Sequence, residues 1–244
     1  MEYQALAPIY DRMMNHVEYD EWALLIKKIL KKYSTAIKPS VLELGGGTAL
    51  LAQSLEKLNV SYFGSDLSFS MCQQAHKKSF PFFCCDCRHI AVKKKFDLII
   101  FLYDGINYLQ TLQEYSQLFN EVHYCLQDNG LFLFDITTET NSLRHFYDFL
   151  DFEDFGDSSY VRHSYYDPEV CIQFNDFTIF QKFKDNDFFQ KFSELHIQKV
   201  FPAKSIEEQI PPSKFKILGI WDDISFRKCS AKSERIHFLI KKTG

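Results

Sequence analysis

Between Val41 and Asp135, short unbroken apolar runs alternate with stretches whose apolar residues recur at helical spacing. Residues 41–44, 60–64, 82–85, 96–103 and 131–134 read as five strands. Strands without polar alternation are buried on both faces, which is the condition of a parallel sheet covered by helices. At 244 residues the chain can bury a full core, and it suits one α/β domain with an insertion. Such sheets bind ligands beyond the carboxyl ends of their strands, where strand order reverses. Chemistry is therefore expected near Gly45, Asp66, Asp86, Tyr103 and Asp135, each just past a strand end.

The helices carry their own signals. Trp22, Leu25, Ile26, Ile29 and Leu30 form one apolar face, with Asp20 as the expected N-cap. Ser68 can cap the helix after the second strand. Thr111 and Glu114 have capping-box spacing, and Asn129-Gly130 is the expected stop of the helix they start. The pattern changes after residue 150. Residues 156–201 are rich in aromatics, with turn signals at Asp167-Pro168-Glu169 and Lys184-Asp185-Asn186-Asp187, and read as three or four antiparallel strands. Leu195 and Ile197 share one face there; Phe192, Glu194, His196 and Gln198 share the other. The expected organisation is a core of 1–149 and 203–244, with 150–202 as an inserted sheet covering the open end. Residues 215–221 and 235–241 are closing strands, one of them antiparallel, because the loop between them is too short for a crossover helix.

Charge and cysteine usage exclude several classes. The net charge of -4 gives no general pull toward nucleic acid or anionic membrane, so neither is an expected partner. No apolar run is long enough to cross a bilayer, and no signal peptide is visible at the start. Seven cysteines, an odd number in a chain that needs no staples, point to a reducing, cytoplasmic compartment. Cys84-Cys85-Asp86-Cys87 lacks a second pair to complete a tetrahedral site, so buried thiols are expected and no metal. Oligomeric state is not legible.

The stretch Glu43-Leu44-Gly45-Gly46-Gly47-Thr48-Ala49 carries the most information. Glycines allow a tight turn after a strand and a close approach of backbone to a ligand. Leu50 stands where a dinucleotide fingerprint needs its third glycine, and no Lys-Ser/Thr follows to make a nucleotide-triphosphate loop. Asp66 ends the next strand, where a carboxylate can accept both hydroxyls of a ribose. Asp86, after the third strand, could accept from an adenine amino group. Each has a bland alternative: a ligand-free turn, a helix-capping aspartate, a loop carboxylate. Their succession after consecutive strands favours a bound nucleoside.

These residues resemble those of small class I S-adenosylmethionine-dependent methyltransferases, in particular a bacterial subgroup with an antiparallel insertion after the fifth strand. The matching pieces run through nearly the whole chain: Tyr3, Ala7-Pro8-Ile9-Tyr10-Asp11, Leu42-Glu43-Leu44-Gly45-Gly46-Gly47-Thr48, Asp66-Leu67-Ser68 with Met71, and Asp86-Cys87-Arg88. Further on come Phe96-Asp97-Leu98-Ile99, Asp104 with Asn107-Tyr108-Leu109, Phe134-Asp135-Ile136, Glu194 with His196 and Gln198, and Ser233-Glu234-Arg235-Ile236. The resemblance implies a Rossmann-like, mostly parallel seven-stranded sheet flanked by helices, with S-adenosyl-L-methionine as cofactor. It implies that Glu43, Gly45, Gly46 and Gly47 form the loop under the methionine part. Asp66 would hold the ribose; Leu67 and Met71 would flank the adenine; Asp86 and the Cys87 backbone would meet its edge. Leu102 and Tyr103 would lie under the sulfonium end, with Tyr10 as a lid. The chain departs from the family at Ala49, where the usual loop has a glycine. Alanine in a first helical turn is sterically mild, so weaker rather than abolished cofactor binding is expected.

An activated methyl group needs a nucleophile held in line and water kept out. A base is needed only if the nucleophile must lose a proton. Tyr103, Asp104 and His196 are the candidate catalytic residues, with His196 closest to the needed pKa range. The acceptor implied is a small molecule, an amine by family analogy. Two other readings stay open: a binding or scaffold protein that keeps the fold without transfer, and a nucleotide-dependent oxidoreductase.

Overall fold

The computed structural model describes residues 3–183 and 187–243. The core sheet has seven strands: β1 (Ser40–Glu43), β2 (Ser61–Asp66), β3 (Phe82–Cys84), β4 (Phe96–Phe101), β5 (Leu126–Thr137), β10 (Phe215–Asp222) and β11 (Arg235–Lys242). Their order is β10-β11-β5-β4-β1-β2-β3. β1, β2, β3, β4 and β5 are parallel, and β11 runs antiparallel to both β5 and β10. The order reverses between β1 and β4, so the glycine turn leaving β1 opens beside the residues leaving β4.

Helices cover both faces. After the short α1 (Tyr10–Met13), α2 (Tyr19–Tyr33) and α3 (Leu50–Leu55) pack one face, where Trp22, Leu25, Ile26 and Ile29 meet Val41, Leu98 and Ile100. α5 (Leu112–Cys125) packs the other, burying Tyr115, Leu118, Phe119 and Val122 against Phe132 and Phe134. Each such side chain contributes about 1.5–3 kcal/mol on leaving water. α4 (Phe69–Lys77) packs by β2 and β3. Among the described residues no helix is long and apolar enough to cross a membrane.

The second sheet has four antiparallel strands in sequence order: β6 (Asp148–Asp154), β7 (Ser158–Asp167), β8 (Ile172–Lys182) and β9 (Phe189–Lys199). The first of them begins upstream of the aromatic-rich stretch, in acidic sequence. Of the turn expected at Lys184-Asp185-Asn186-Asp187, the first three residues lie outside the described ones. Two short helices, α6 (Glu139–His145) and α7 (Ala203–Glu207), lead into and out of this sheet.

Three local expectations need correction. Asp20 is not the N-cap of α2; the helix starts one residue earlier, and the Asp20 carboxylate takes Lys57 at 2.7 Å. α5 stops at Cys125, before Asn129-Gly130. The left-handed Asn129 (φ 63) instead sits in an irregularity of β5, where Phe96 pairs with Leu126 but Leu98 with Leu131. A left-handed residue marks a bulge as readily as a helix end. Ala49 is not in a first helical turn: it is the left-handed N-cap of α3, with φ 65. That conformation costs a residue with a Cβ about 1–2 kcal/mol.

Candidate active site

The turn after β1 is shaped by two close approaches and by the Tyr10 ring. Gly45 has φ 59, and a Cβ there would meet the Phe101 ring at 2.7 Å. A Cβ on Gly46 would meet the Glu43 carboxylate at 2.9 Å. Gly47 has φ 56, and a Cβ there would meet only the Tyr10 ring, at 3.6 Å, so Tyr10 lies over the turn. The Ala49 methyl is buried with Ala52, Cys72, Ala75, Phe80 and Phe82, away from the cavity side of the turn. Its cost therefore falls on stability rather than on a cavity contact.

Asp66, leaving β2, folds back on that turn. Its carboxylate accepts from the Gly47 amide at 2.9 Å and the Ser68 amide at 2.8 Å. Glu43 is buried and accepts from the Tyr62 hydroxyl; burial pushes its pKa up to about 7. Asp86, after β3, is held by Arg88 through the backbone amide at 2.8 Å and Nη2 at 2.6 Å. The Arg88 hydrogen bonds keep its pKa below the ordinary carboxylate range, against the opposing effect of burial. Arg88 also grips Glu114 of the α5 capping box. Leu67 is exposed, Met71 is buried, and burial pushes the Cys87 thiol up to about 12. All of these residues except Tyr62 border one cavity.

β4 is followed by Leu102 and then by two consecutive left-handed residues, Tyr103 (φ 60) and Asp104 (φ 51). What holds them is a buried ion cluster. Arg235, at the start of β11, donates to Asp135 and, at 2.8 Å, to Asp104 Oδ1. Gln198 donates to Asp104 Oδ2 at 2.7 Å, and the Asp104 amide donates to Asp135 at 3.0 Å. Burial pushes both carboxyls up, and the guanidinium between them opposes that. Both Asp104 oxygens are thus engaged. Asn107 ties the loop down: its amide donates to the Asp104 carbonyl at 3.0 Å, and its side chain joins the Lys199 carbonyl and the Thr137 amide.

The alternation read along β9 places His196 inward: it is 1% exposed, whereas Leu195 is 45% exposed. The inner rows of the sheet run Phe149, Ser164, Asn175, His196 and Asp151, Arg162, Phe177, Glu194. His196 Nδ1 lies 3.3 Å from the Tyr108 hydroxyl and Nε2 lies 3.2 Å from Glu194. The Tyr3 ring packs on the imidazole at 4.3 Å between centroids. Glu194 also accepts from the Ala5 and Leu6 amides. Burial pushes its carboxyl up, but these hydrogen bonds outweigh that and hold it low. One carboxylate so ties the N-terminal segment to the inserted sheet across the cavity.

The cavity measures about 1730 Å³. It is bordered by Gly45, Asp66, Asp86 and Tyr103 from the core and by Tyr160, Arg162 and His196 from the insertion. A pocket for one drug-sized ligand is about 300–1,000 Å³, so this one can take two molecules side by side. Sequence reasoning assigned no role to Tyr3, Tyr108, Arg162 or Arg235. Two acids ending adjacent strands at 104 and 135 were the available signal for a buried cation, but nothing local pointed to Arg235.

Residues 41–130, which hold β1 to β4 and the glycine turn, match a family model described as a methyltransferase domain. YqeM of Bacillus subtilis (strain 168) is 28% identical over 249 residues, covering 100% of this chain and 98% of that protein. The crystal structure of a S-adenosylmethionine-dependent methyltransferase from Clostridium acetobutylicum ATCC 824 superposes with a TM-score of 0.81 at 25% identity, covering 99% of both chains. This chain carries a methyltransferase domain in a class I methyltransferase fold with an antiparallel insertion. A third likeness is of fold alone: the sugar N-methyltransferase KedS8 from Streptoalloteichus sp ATCC 53650, with a TM-score of 0.77, 15% identity and coverage of 96% and 91%. In the methyltransferase described here, Gly45, Asp66, Asp86 and Tyr103 all lie at the carboxyl ends of parallel strands, β1 to β4, that flank or neighbour the reversal of strand order.

Proposed function

We propose that this methyltransferase transfers a methyl group to a small-molecule amine held between the core and the inserted sheet. S-adenosyl-L-methionine is the cofactor, and when bound it supplies a methyl group already activated for displacement. The chain has a cradle that suits an adenosyl group: a turn where Cβ atoms would clash, with the Asp66 carboxylate within 2.9 Å of it. In this reading Gly45, Gly46 and Gly47 carry the amino-acid part, Asp66 the ribose hydroxyls, and Leu67, Met71, Asp86 and Cys87 surround the adenine. Glu43 sets the turn from beneath, Tyr10 covers it, and Leu102 and Tyr103 floor the reacting end.

The observation that carries the reading is the single cavity that runs from this cradle to His196. His196 is the proton acceptor: its Nε2 meets Glu194 at 3.2 Å, which fixes the orientation of the ring. Tyr103 and Asp104 shape the reacting end, with Asp104 held by Arg235. Tyr3 and Tyr10 exclude water over the site. The small acceptor follows from enclosure by the insertion, and the cytoplasm from the cysteine usage. The amine is supported by the acidic balance of the cavity, whose Glu43, Asp66, Asp86, Asp104, Glu114, Asp151 and Glu153 outnumber three arginines.

The test is to incubate the protein and methyl-labelled cofactor with a bacterial extract. Label should enter the low-mass fraction, on nitrogen by mass spectrometry; label confined to RNA or protein would overturn the acceptor assignment. His196→Ala should slow that labelling by about 100-fold while affinity for S-adenosylhomocysteine stays within about two-fold. An undiminished rate would remove His196 from the chemistry.

A further inference from the structure

The cavity's three arginines differ in one respect. Arg88 holds two carboxylates, Asp86 and Glu114, and Arg235 holds two, Asp104 and Asp135. Arg162 holds one: Asp151, directly opposite on β6, at 2.9 Å. Asp151 is in turn fixed by the Tyr160 hydroxyl at 3.0 Å. The Arg162 guanidinium sits among three phenyl rings, 5.9 Å from Phe146, 6.0 Å from Phe149 and 5.9 Å from Phe177. Its Nε is buried without a hydrogen-bond partner. An under-satisfied guanidinium in a rigid aromatic setting is costly unless something else completes it.

We propose that the methyl acceptor carries an anionic group, a carboxylate or a phosphate, that docks on Arg162. This rests on reading the cavity as a methyl-transfer site, and it adds a second handle on the acceptor. Elsewhere the cavity lining disfavours an anion: the Arg88 and Arg235 guanidiniums are each already engaged by two carboxyls, and Asp66 and Glu153 add acidic groups. At Arg162 the local pair is neutral, and donors remain unused. The anion is therefore steered to one end, and the nucleophile is turned toward the other. Arg162 and His196 lie on adjacent inner rows, two strands apart, with Phe177 between them. Strand geometry puts their backbones roughly 12 Å apart. That separation sets the span of the acceptor: an amine near His196 and Tyr103, an aromatic or aliphatic body along Phe177, and the acid at Arg162. A planar, fixed guanidinium suits carboxylate or phosphate better than an ammonium would.

Three probes decide it, each titrated into the complex with S-adenosylhomocysteine and followed by ligand-observed NMR: phenylacetate, phenyl phosphate and phenylacetamide. One or both anions should bind about ten-fold tighter than the neutral amide. The tighter of the two names the anion as carboxylate or phosphate. Arg162→Gln should erase the preference and Arg162→Lys should keep part of it, with affinity for S-adenosylhomocysteine unchanged in both. Equal binding of the amide, no binding of any probe, or a preference that survives Arg162→Gln would overturn the proposal. Failure of the unaltered protein to bind S-adenosylhomocysteine would instead overturn the methyl-transfer reading.

Discussion

The two ends of the cavity are built in different ways. At the core end, the groups follow directly on strands of one parallel sheet, and much of the surface is backbone: glycine turns, amides and a carboxylate within a residue or two of a strand end. At the insertion end, the surface is side chains on alternate residues of antiparallel strands, joined by long-range ion pairs and hydrogen bonds. The first construction fixes a ligand by local geometry. The second depends on register, because a one-residue slip would turn His196 and Arg162 out to solvent.

Between the ends stands Arg235, and removing it gives the largest expected effect. Arg235→Met leaves Asp104 and Asp135 buried with no cation, which should destabilise the fold by about 3–5 kcal/mol in urea unfolding. A loss below about 1 kcal/mol would mean that the two ends are not joined through this cluster. Asp66→Ala comes next. Stripping a charged acceptor should weaken S-adenosylhomocysteine binding by about 100-fold in calorimetry and leave anion binding at Arg162 intact. Equal loss at both ends would collapse the distinction between them.

A pH measurement separates the core from the site. His237 is fully buried on β11, stacked on Trp221, with neither ring nitrogen hydrogen-bonded. Burial, helped by the nearby Arg235, lowers its pKa from 6.5 to about 3. A histidine lowered on folding contributes stability that is present above the unfolded pKa and is lost as pH falls. The window runs from about 6.5 down to about 3, with a slope of up to ~1.4 kcal/mol per pH unit. Glu43, raised on folding, acts in the opposite sense from about 4.5 to about 7, so the quantity to follow is the difference between wild type and His237→Phe. That difference should shrink as pH rises toward neutrality; a pH-independent difference would contradict a neutral, unpaired His237. The smallest effect is expected at Ala49. Ala49→Gly relieves a left-handed alanine and loses one buried methyl, so stability should change by less than about 1 kcal/mol. Cofactor affinity should not move, and a several-fold gain would return Ala49 to the binding surface.

The same contrast decides what could be read from the residues. The parallel strands were legible because burial on both faces leaves unbroken apolar runs, and the Thr111 capping box because it is local. His196 could be assigned a strand face but not a direction, since either face of an aromatic-rich strand could have pointed inward. Asn129-Gly130 misled because a left-handed pair serves a bulge in β5 as well as a helix end. Ala49 misled because its backbone angle, not its size, is what the turn makes costly. Arg235 meets Asp104 across 131 residues of sequence, and no local pattern specifies such a contact.

The most direct test is a crystal structure of the complex with S-adenosylhomocysteine. The ribose hydroxyls should lie within hydrogen-bonding distance of Asp66, the amino-acid part should lie against Gly45 to Gly47, and the adenine should lie beside Met71 and Asp86. Density for the nucleoside at the insertion end, or a ribose out of reach of Asp66, would contradict the assignment of the core end to the cofactor.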